Sequence, residues 1–313
     1  MTILAAFIIL IVLFYALGKA ADLVIYNARI AGERLHLKLI FVGLLTGFLT
    51  SLPEVAVTVN SIFEHTEQLA LGNLIGGIMV LYGLVLALSI IFNRKVETSG
   101  EWGRIVPLNI YLFSPFILGA DGMLSAADGM ILIAGYLALV AYLYFLNREA
   151  KSRSQSTVPF TFKNLIYAVI GLILVVIISF AVLRLAEYML QYVNFTRFFF
   201  GLVIFSVGTN LPEVIVAFRS WKRHVGRLSL GNIFGSTMSN VLIIGFLAFF
   251  RPLKIIFDVE HLVFASFMIA LLSLVVFFYV SGKRFSRNEG GVLLALYLLF
   301  VFVSLICIAC NVI

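Results

Sequence analysis

The chain has 313 residues, of which 62% are hydrophobic and only 12% charged. Soluble domains carry roughly 45–50% apolar and about 25% charged residues, so a mean hydropathy of +1.12 excludes a water-soluble globule and points to a chain that lives in a lipid bilayer. The net charge of +7 is spread over short loops and forms no basic face, which argues against a nucleic-acid partner.

A bilayer-crossing helix needs about 20 mostly apolar residues. Ten such runs follow one another, at 3–27, 37–63, 69–92, 105–119, 124–146, 162–192, 197–221, 228–250, 258–281 and 288–312. Barrel strands would alternate apolar and polar residues, and a run such as Leu172-Ile-Leu-Val-Val-Ile-Ile178 does not. The expected fold is therefore an all-α polytopic membrane protein with ten transmembrane helices. The first run begins Met-Thr-Ile-Leu with no basic stretch before it, so it is expected to be a retained span and not a cleaved signal. Cys307 and Cys310 lie three apart in the last run and supply neither a disulfide framework nor a metal set.

Of the 22 lysines and arginines, 17 fall on the odd-numbered connections and 3 on the even-numbered ones, with Lys19 and Arg184 inside spans. Cytoplasmic loops carry the excess of positive charge, so the odd connections are expected to face the cytoplasm and both termini the outside of a cell membrane. The longest connection contains Lys151-Ser-Arg-Ser-Gln-Ser-Thr-Val-Pro159. It divides the chain into a first five-helix unit at 1–146, a cytoplasmic linker at 147–161 and a second five-helix unit at 162–313.

The two units share a sequence. Thr50-Ser-Leu-Pro-Glu54 in the second run matches Thr209-Asn-Leu-Pro-Glu213 in the seventh, at an offset of 159 residues. The same offset lays Leu71-Gly-Asn-Leu-Ile-Gly76 on Leu230-Gly-Asn-Ile-Phe-Gly235, and 14 of 32 positions agree without a gap from 50–81 to 209–240. Five spans per unit is an odd number, so the second unit enters the membrane from the opposite side. That is an inverted-topology repeat, an architecture of secondary transporters that place their substrate near the midplane on interrupted helices. A weaker echo sets Lys19 and Asp22 against Arg184 and Glu187, each expected to be an i, i+3 ion pair that braces the scaffold.

Pro53 and Pro212 lack an N–H and clash with the preceding turn, so both helices should break there. A break frees the carbonyls upstream, among them those of Gly47 and Thr50 in one unit and of Ser206 and Thr209 in the other. Freed carbonyls within a membrane need partners in protein, water or ions. Glu54 and Glu213 are the acidic residues placed deep in the membrane, where an ionisable group is costly and marks function. The repeat brings them together, and a cation such as Ca²⁺ between them would let both ionise, in a site of hard oxygen ligands. Asn73 and Asn232 open the following spans, and are expected to line the site or brace the broken helices. Gly76, Gly77 and Gly235 would permit close helix approach.

These residues resemble the two repeats of the cation/calcium antiporter superfamily, in its sodium/calcium exchanger branch. Its signature is Gly-Thr-Ser-Leu-Pro-Glu followed by Gly-Asn-x-x-Gly-Ser-Asn on the next helix. This chain has Gly208-Thr-Asn-Leu-Pro-Glu213 with Gly231-Asn-Ile-Phe-Gly-Ser236, and Thr50-Ser-Leu-Pro-Glu54 with Gly72-Asn-Leu-Ile-Gly76. The resemblance implies Ca²⁺ held by Glu54, Glu213 and the backbone oxygens of Thr50 and Thr209. It also implies flanking Na⁺ sites, and alternating access by sliding of spans 1 and 6. Thr50, Ser51 and Thr209 are then oxygen donors and Ser236 a flanking ligand. Asn210 stands where that family has Ser, Asn240 where Asp is common, Gly77 where Ser is usual, and Leu81 where Asn or Asp is usual. With two carboxylates in all, exchange should carry fewer coupling ions per Ca²⁺ and be electroneutral.

The implied function is a secondary transporter that exchanges Ca²⁺ for Na⁺, with no cofactor and with a single chain supplying the whole site, so that a monomer is the expected unit. Alternatives remain from the residues alone. A glutamate pair in low dielectric can also take up H⁺, which makes proton-coupled or other-cation Ca²⁺ antiport the first alternative. A degenerate relative that binds ions but transports poorly is the second. An intramembrane enzyme is the third, although no Ser/His, His-Glu-x-x-His or Gly-Asp signature accompanies the glutamates. A channel would assemble its pore from symmetric rings of residues.

Overall fold

The computed structural model describes residues 3–34, 48–93, 95–146, 162–193, 195–211, 213–214, 226–255 and 259–309. They are mostly helical. In chain order the helices are α1 (Ile3–Arg34), α2 (Leu52–Glu64), α3 (Glu67–Val80) running on through a π-helical stretch at Leu81–Leu86 into α4 (Ala87–Asn93), α5 (Trp102–Leu118), α6 (Ala126–Leu146), α7 (Phe162–Leu190), α8 (Arg197–Phe200) running through a second π-helical stretch at Gly201–Phe205 into α9 (Ser206–Thr209), α10 (Gly226–Phe250), α11 (Val259–Ser281) and α12 (Arg287–Ala309). Among the described residues four short strands interleave, β1 (Lys95–Glu97), β2 (Met123–Leu124), β3 (Leu253–Lys254) and β4 (Arg284–Ser286).

Among the described residues eight stretches are long and apolar enough to cross a membrane, so the chain is a multi-pass membrane protein. They match eight of the ten expected runs. The other two runs, 37–63 and 197–221, are described only in part, as α2 and as α8 with α9. Gly47, Pro212, Cys310 and His224 lie outside the described residues, as does the linker.

Burial separates centre from rim. Within the stretches Glu67–Asn93 and Leu230–Phe250, 83% and 78% of the most apolar window is buried, against 17% for Ala126–Leu146 and 22% for Lys163–Leu190. The first pair is the axis of the bundle, and it carries the Gly-Asn motifs of both units. The rim helices turn Leu137, Ile177 and Leu298 outward, the apolar surface that a bilayer covers.

Two apolar clusters share the interior. The larger joins α3, α5, α6, α10, α11 and α12. The smaller joins α1 and α7 to a few residues of the centre, through Leu10, Phe14, Leu17, Val182 and Leu183 with Ala56, Phe200 and Phe205. Glycine sets the close approaches. A Cβ on Gly72 or Gly76 would collide with the backbone carbonyls of Phe198 and Leu202, and one on Gly201 with that of Leu69, so α3 and the 197–209 helix touch backbone to backbone. Gly129 and Gly245 do the same for α6 and α10.

The strands tie connections together in register. β1 pairs antiparallel with β4, Lys95 opposite Ser286, and β2 with β3, Met123 opposite Lys254. Helix α5 runs from the first pair to the second. The two paired sets thus lie at opposite ends of α5.

One expectation is corrected. Lys19 does pair with Asp22, at 3.7 Å, but Arg184 does not pair with Glu187. Arg184 reaches Glu64 on α2 at 2.9 Å, and Glu187 takes a two-pronged contact from Arg197, with both bonds at 2.8 Å. A guanidinium fork on a carboxylate outdoes a same-helix contact, and neighbouring helices supplied both partners.

Candidate ion-binding site

The site begins with two breaks. Residues 48–50 are helical, Ser51 leaves the helix at φ −84°, ψ 13°, and α2 restarts at Leu52 with Pro53 in its first turn. The missing proline N–H is harmless in a first turn, so the break falls just upstream of the proline. In the second unit α9 ends at Thr209, and Asn210 stands at φ −88°, ψ 10°. Val55 N–H bonds Ser51 O at 3.0 Å, and Val214 N–H bonds Asn210 O at 3.1 Å. Repeat-equivalent residues therefore make the same local turn.

Each break delivers a glutamate to the interior. Glu54 is 1% exposed and Glu213 2%. Glu54 lies in the first turn of α2, where the helix dipole favours negative charge. The carboxyls exchange partners across the repeat, with Glu54 in hydrogen-bonding reach of the Thr209 hydroxyl and Glu213 in reach of that of Thr50. They also lie close enough for two negative charges to repel each other.

Around them the polar residues of the central pair converge. Thr209 Oγ1 donates to Asn73 Oδ1 at 3.0 Å. A hydroxyl has one hydrogen, so Thr209 serves Asn73 or Glu54 at any moment. Thr50 Oγ1 and Ser236 Oγ are 2.9 Å apart. Ser51, Asn210 and Asn240 are buried beside them. The halves are not alike here, since the position equivalent to Ser236 is Gly77 and that equivalent to Asn240 is Leu81.

Several buried acceptors have no donor among the described residues, namely Oε2 of Glu54, Oε2 of Glu213, Oδ1 of Asn232 and Oδ1 of Asn240. Buried polar atoms are rarely left so, and oxygens that lack donors suit a cation. Among the described residues no three His, Cys, Asp or Glu side chains gather at one point. The donor set is two carboxylates with neutral oxygens, which fits a hard cation and not a soft one.

Not every expected donor is open. Ser206 turns its hydroxyl to Leu202 O, and its carbonyl accepts both the Asn210 N–H at 3.3 Å and the Asn210 side-chain amide at 2.8 Å. The freed Ser206 carbonyl is satisfied by protein. Thr58 was not foreseen. It lies one turn beyond Glu54, is 3% exposed, and its Oγ1 has no partner among the described residues. Its repeat equivalent is Ala217, so the duplicated pattern that singled out the other residues gave no signal for it.

The profile of the sodium/calcium exchanger protein family matches residues 5–145 and 163–306. An uncharacterized membrane protein of Methanocaldococcus jannaschii is 25% identical over 259 residues, which is 80% of this chain and 82% of that protein. Two kinds of solved structure share the fold. A structure of the sodium-calcium exchanger NCX_Mj superposes with a TM-score of 0.68 at 21% identity, over 96% of this chain and 98% of the other. That of an H⁺/Ca²⁺ exchanger, CAX, superposes with a TM-score of 0.69 at 18% identity, over 97% of this chain and 88% of the other. With its profile match spanning both halves, the chain belongs to the sodium/calcium exchanger protein family.

Proposed function

We propose that the chain is a secondary antiporter that moves Ca²⁺ across a cell membrane in exchange for Na⁺, by alternating access around Glu54 and Glu213. One observation carries this: two buried carboxyls from repeat-equivalent breaks, each within reach of the other unit's threonine and each with an oxygen that finds no donor among the described residues. Two carboxylates balance the charge of one Ca²⁺, and Thr50 and Thr209 add oxygens on either side. Ser51, Ser236, Asn210 and Asn240 flank the ion, while Asn73 and Asn232 brace the helices that carry it. The architecture that goes with this is ten spans in two inverted five-helix units, 1–146 and 162–313, joined by a cytoplasmic linker, with both termini outside and one chain forming the whole site.

Proton coupling is the second reading. It is favoured by Gly77 and Leu81, positions of the first unit where a side-chain oxygen would help to hold Na⁺ and none is present. Radioactive Ca²⁺ uptake into proteoliposomes separates the two. An outward Na⁺ gradient should drive uptake that Glu54→Gln and Glu213→Gln each abolish. Uptake driven by protons alone would transfer the assignment to the second reading, and no uptake under any gradient would overturn the calcium assignment.

A further inference from the structure

Gly77 lies on the buried face of α3, one turn beyond Asn73. The three atoms nearest to a Cβ built there all belong to side chains. Such a Cβ would meet two side-chain amides, Asn240 Nδ2 at 2.5 Å and Asn210 Nδ2 at 3.2 Å. The asparagines come from two other elements, one from α10 and one from the break after α9. Their orientation is fixed by chemistry, because each amide also points at a backbone carbonyl, which can only accept. Asn240 Nδ2 donates to Leu74 O at 3.2 Å, and Asn210 Nδ2 to Ser206 O at 2.8 Å. The NH₂ groups of both therefore face the space above Gly77 and the carbonyls around it.

We propose that this amide pair closes the Gly77 flank of the glutamate pair to cations, and that Asn210 and Asn240 thereby set how many coupling ions the chain carries. A cation site needs converging acceptors. Here the carbonyl of Leu74, inside α3, and that of Ser206, which also accepts the Asn210 N–H, each take a side-chain amide hydrogen as well, and the partial positive charge of those hydrogens repels a cation. The break after α9 would free the Ser206 carbonyl, and in a membrane something must satisfy it; here the Asn210 N–H and the Asn210 side-chain amide do so. The arrangement requires glycine at 77, since any side chain would displace the Asn240 amide. Asn240 keeps one acceptor, Oδ1, which has no partner among the described residues, so it offers the centre a neutral oxygen and the flank two hydrogens. Leu81, the repeat equivalent of Asn240, is fully buried and apolar and puts no acceptor in its place.

The inference rests on Glu54 and Glu213 holding Ca²⁺, and the test keeps the two claims apart. Vesicles loaded with Ca²⁺ are assayed for Ca²⁺/Ca²⁺ exchange, which needs no coupling ion, and Na⁺ is then titrated in on both sides against choline at constant ionic strength. The wild-type chain should exchange Ca²⁺, and Na⁺ should inhibit it weakly and with a shallow slope. Asn240→Asp replaces donor hydrogens by a charged acceptor, and Asn210→Ser removes the side-chain amide from the Ser206 carbonyl, which keeps only the backbone N–H of residue 210. Each should steepen the Na⁺ inhibition curve and lower the half-inhibiting concentration by about tenfold or more, the range of one added charge-assisted contact. The second variant carries the test if the first does not fold. Curves for either variant that superpose on the wild type, with Ca²⁺ exchange intact, would overturn the amide closure and leave the glutamate site standing. Absence of Ca²⁺/Ca²⁺ exchange in the wild type would overturn the glutamate site, and the closure with it.

Discussion

Ser51 and Asn210, 159 positions apart in the chain, interrupt their helices at nearly the same backbone angles, φ −84°, ψ 13° and φ −88°, ψ 10°. A turn of this kind releases carbonyls on one side and starts a new helical segment on the other. In each unit the residue three positions further on is the buried glutamate. The backbone break and the carboxylate thus form one local device, used twice.

The crossed hydroxyls should matter for ion affinity more than for folding. Thr209→Val keeps the shape of the side chain but removes the hydrogen that Asn73 and Glu54 share. The substitution also takes away a hydroxyl oxygen beside the ion and the bond that positions Glu54, an interaction of about 1–3 kcal/mol, so Ca²⁺ affinity should fall roughly tenfold or more. Ca²⁺-dependent thermal shifts of the purified protein measure this, and an unchanged Ca²⁺ dependence in Thr209→Val would remove Thr209 from the site.

The glycine contacts predict a sharp contrast in stability. Gly72→Ala and Gly76→Ala drive a methyl into the carbonyls of Phe198 and Leu202. Backbone cannot rotate away as a side chain can, so each should cost about 1–3 kcal/mol or more. Gly291→Ala meets nothing within 4 Å, and should hold or raise stability because Ala is the better helix former. Melting temperatures in detergent compare the three, and equal values would refute the close contact of α3 with the 197–209 helix.

Arg184 in α7 and Glu64 at the end of α2 lie on different helices, with 63% and 23% of their side chains exposed. A solvated pair of this kind contributes at most about 1 kcal/mol. Arg184→Ala should therefore lower the melting temperature slightly, and the charge-swapped double variant Arg184→Glu with Glu64→Arg should recover most of the loss. A double-mutant cycle that shows no coupling would mean that the contact does not persist in the membrane.

Much of this was legible before any coordinates. The apolar runs followed from bilayer thickness, the two breaks from proline chemistry, and the glutamates from the cost of a carboxylate in lipid. Duplication made each signal stronger, because chance does not place Pro-Glu and Gly-Asn in register twice. Contacts between elements were less legible. Arg184 and Glu187 are spaced to pair on one helix, yet each found a better partner on a neighbour. Gly77 reads in sequence as a lost oxygen, while in space it is the gap that receives amides from Asn210 and Asn240. Thr58 has Ala217 as its repeat equivalent, which carries no side-chain oxygen, and nothing in its neighbours' spacing announced it.

The charge count predicts electroneutral exchange. Glu54 and Glu213 together neutralise one Ca²⁺ or two monovalent ions, and no third His, Cys, Asp or Glu joins them among the described residues. Vesicles on a solid-supported membrane should give no net transport current when Ca²⁺ and the coupling ion exchange. A current that reverses with membrane potential would show that a further charge moves with each cycle.

The central claim is that Glu54 and Glu213 hold one ion between them, and equilibrium binding of radioactive Ca²⁺ to the purified protein tests it most directly. The wild-type chain should bind a single Ca²⁺, and Glu54→Gln and Glu213→Gln should each abolish that binding, because one carboxylate alone leaves the divalent charge unbalanced in a buried site. Full Ca²⁺ binding retained by either variant would contradict the account.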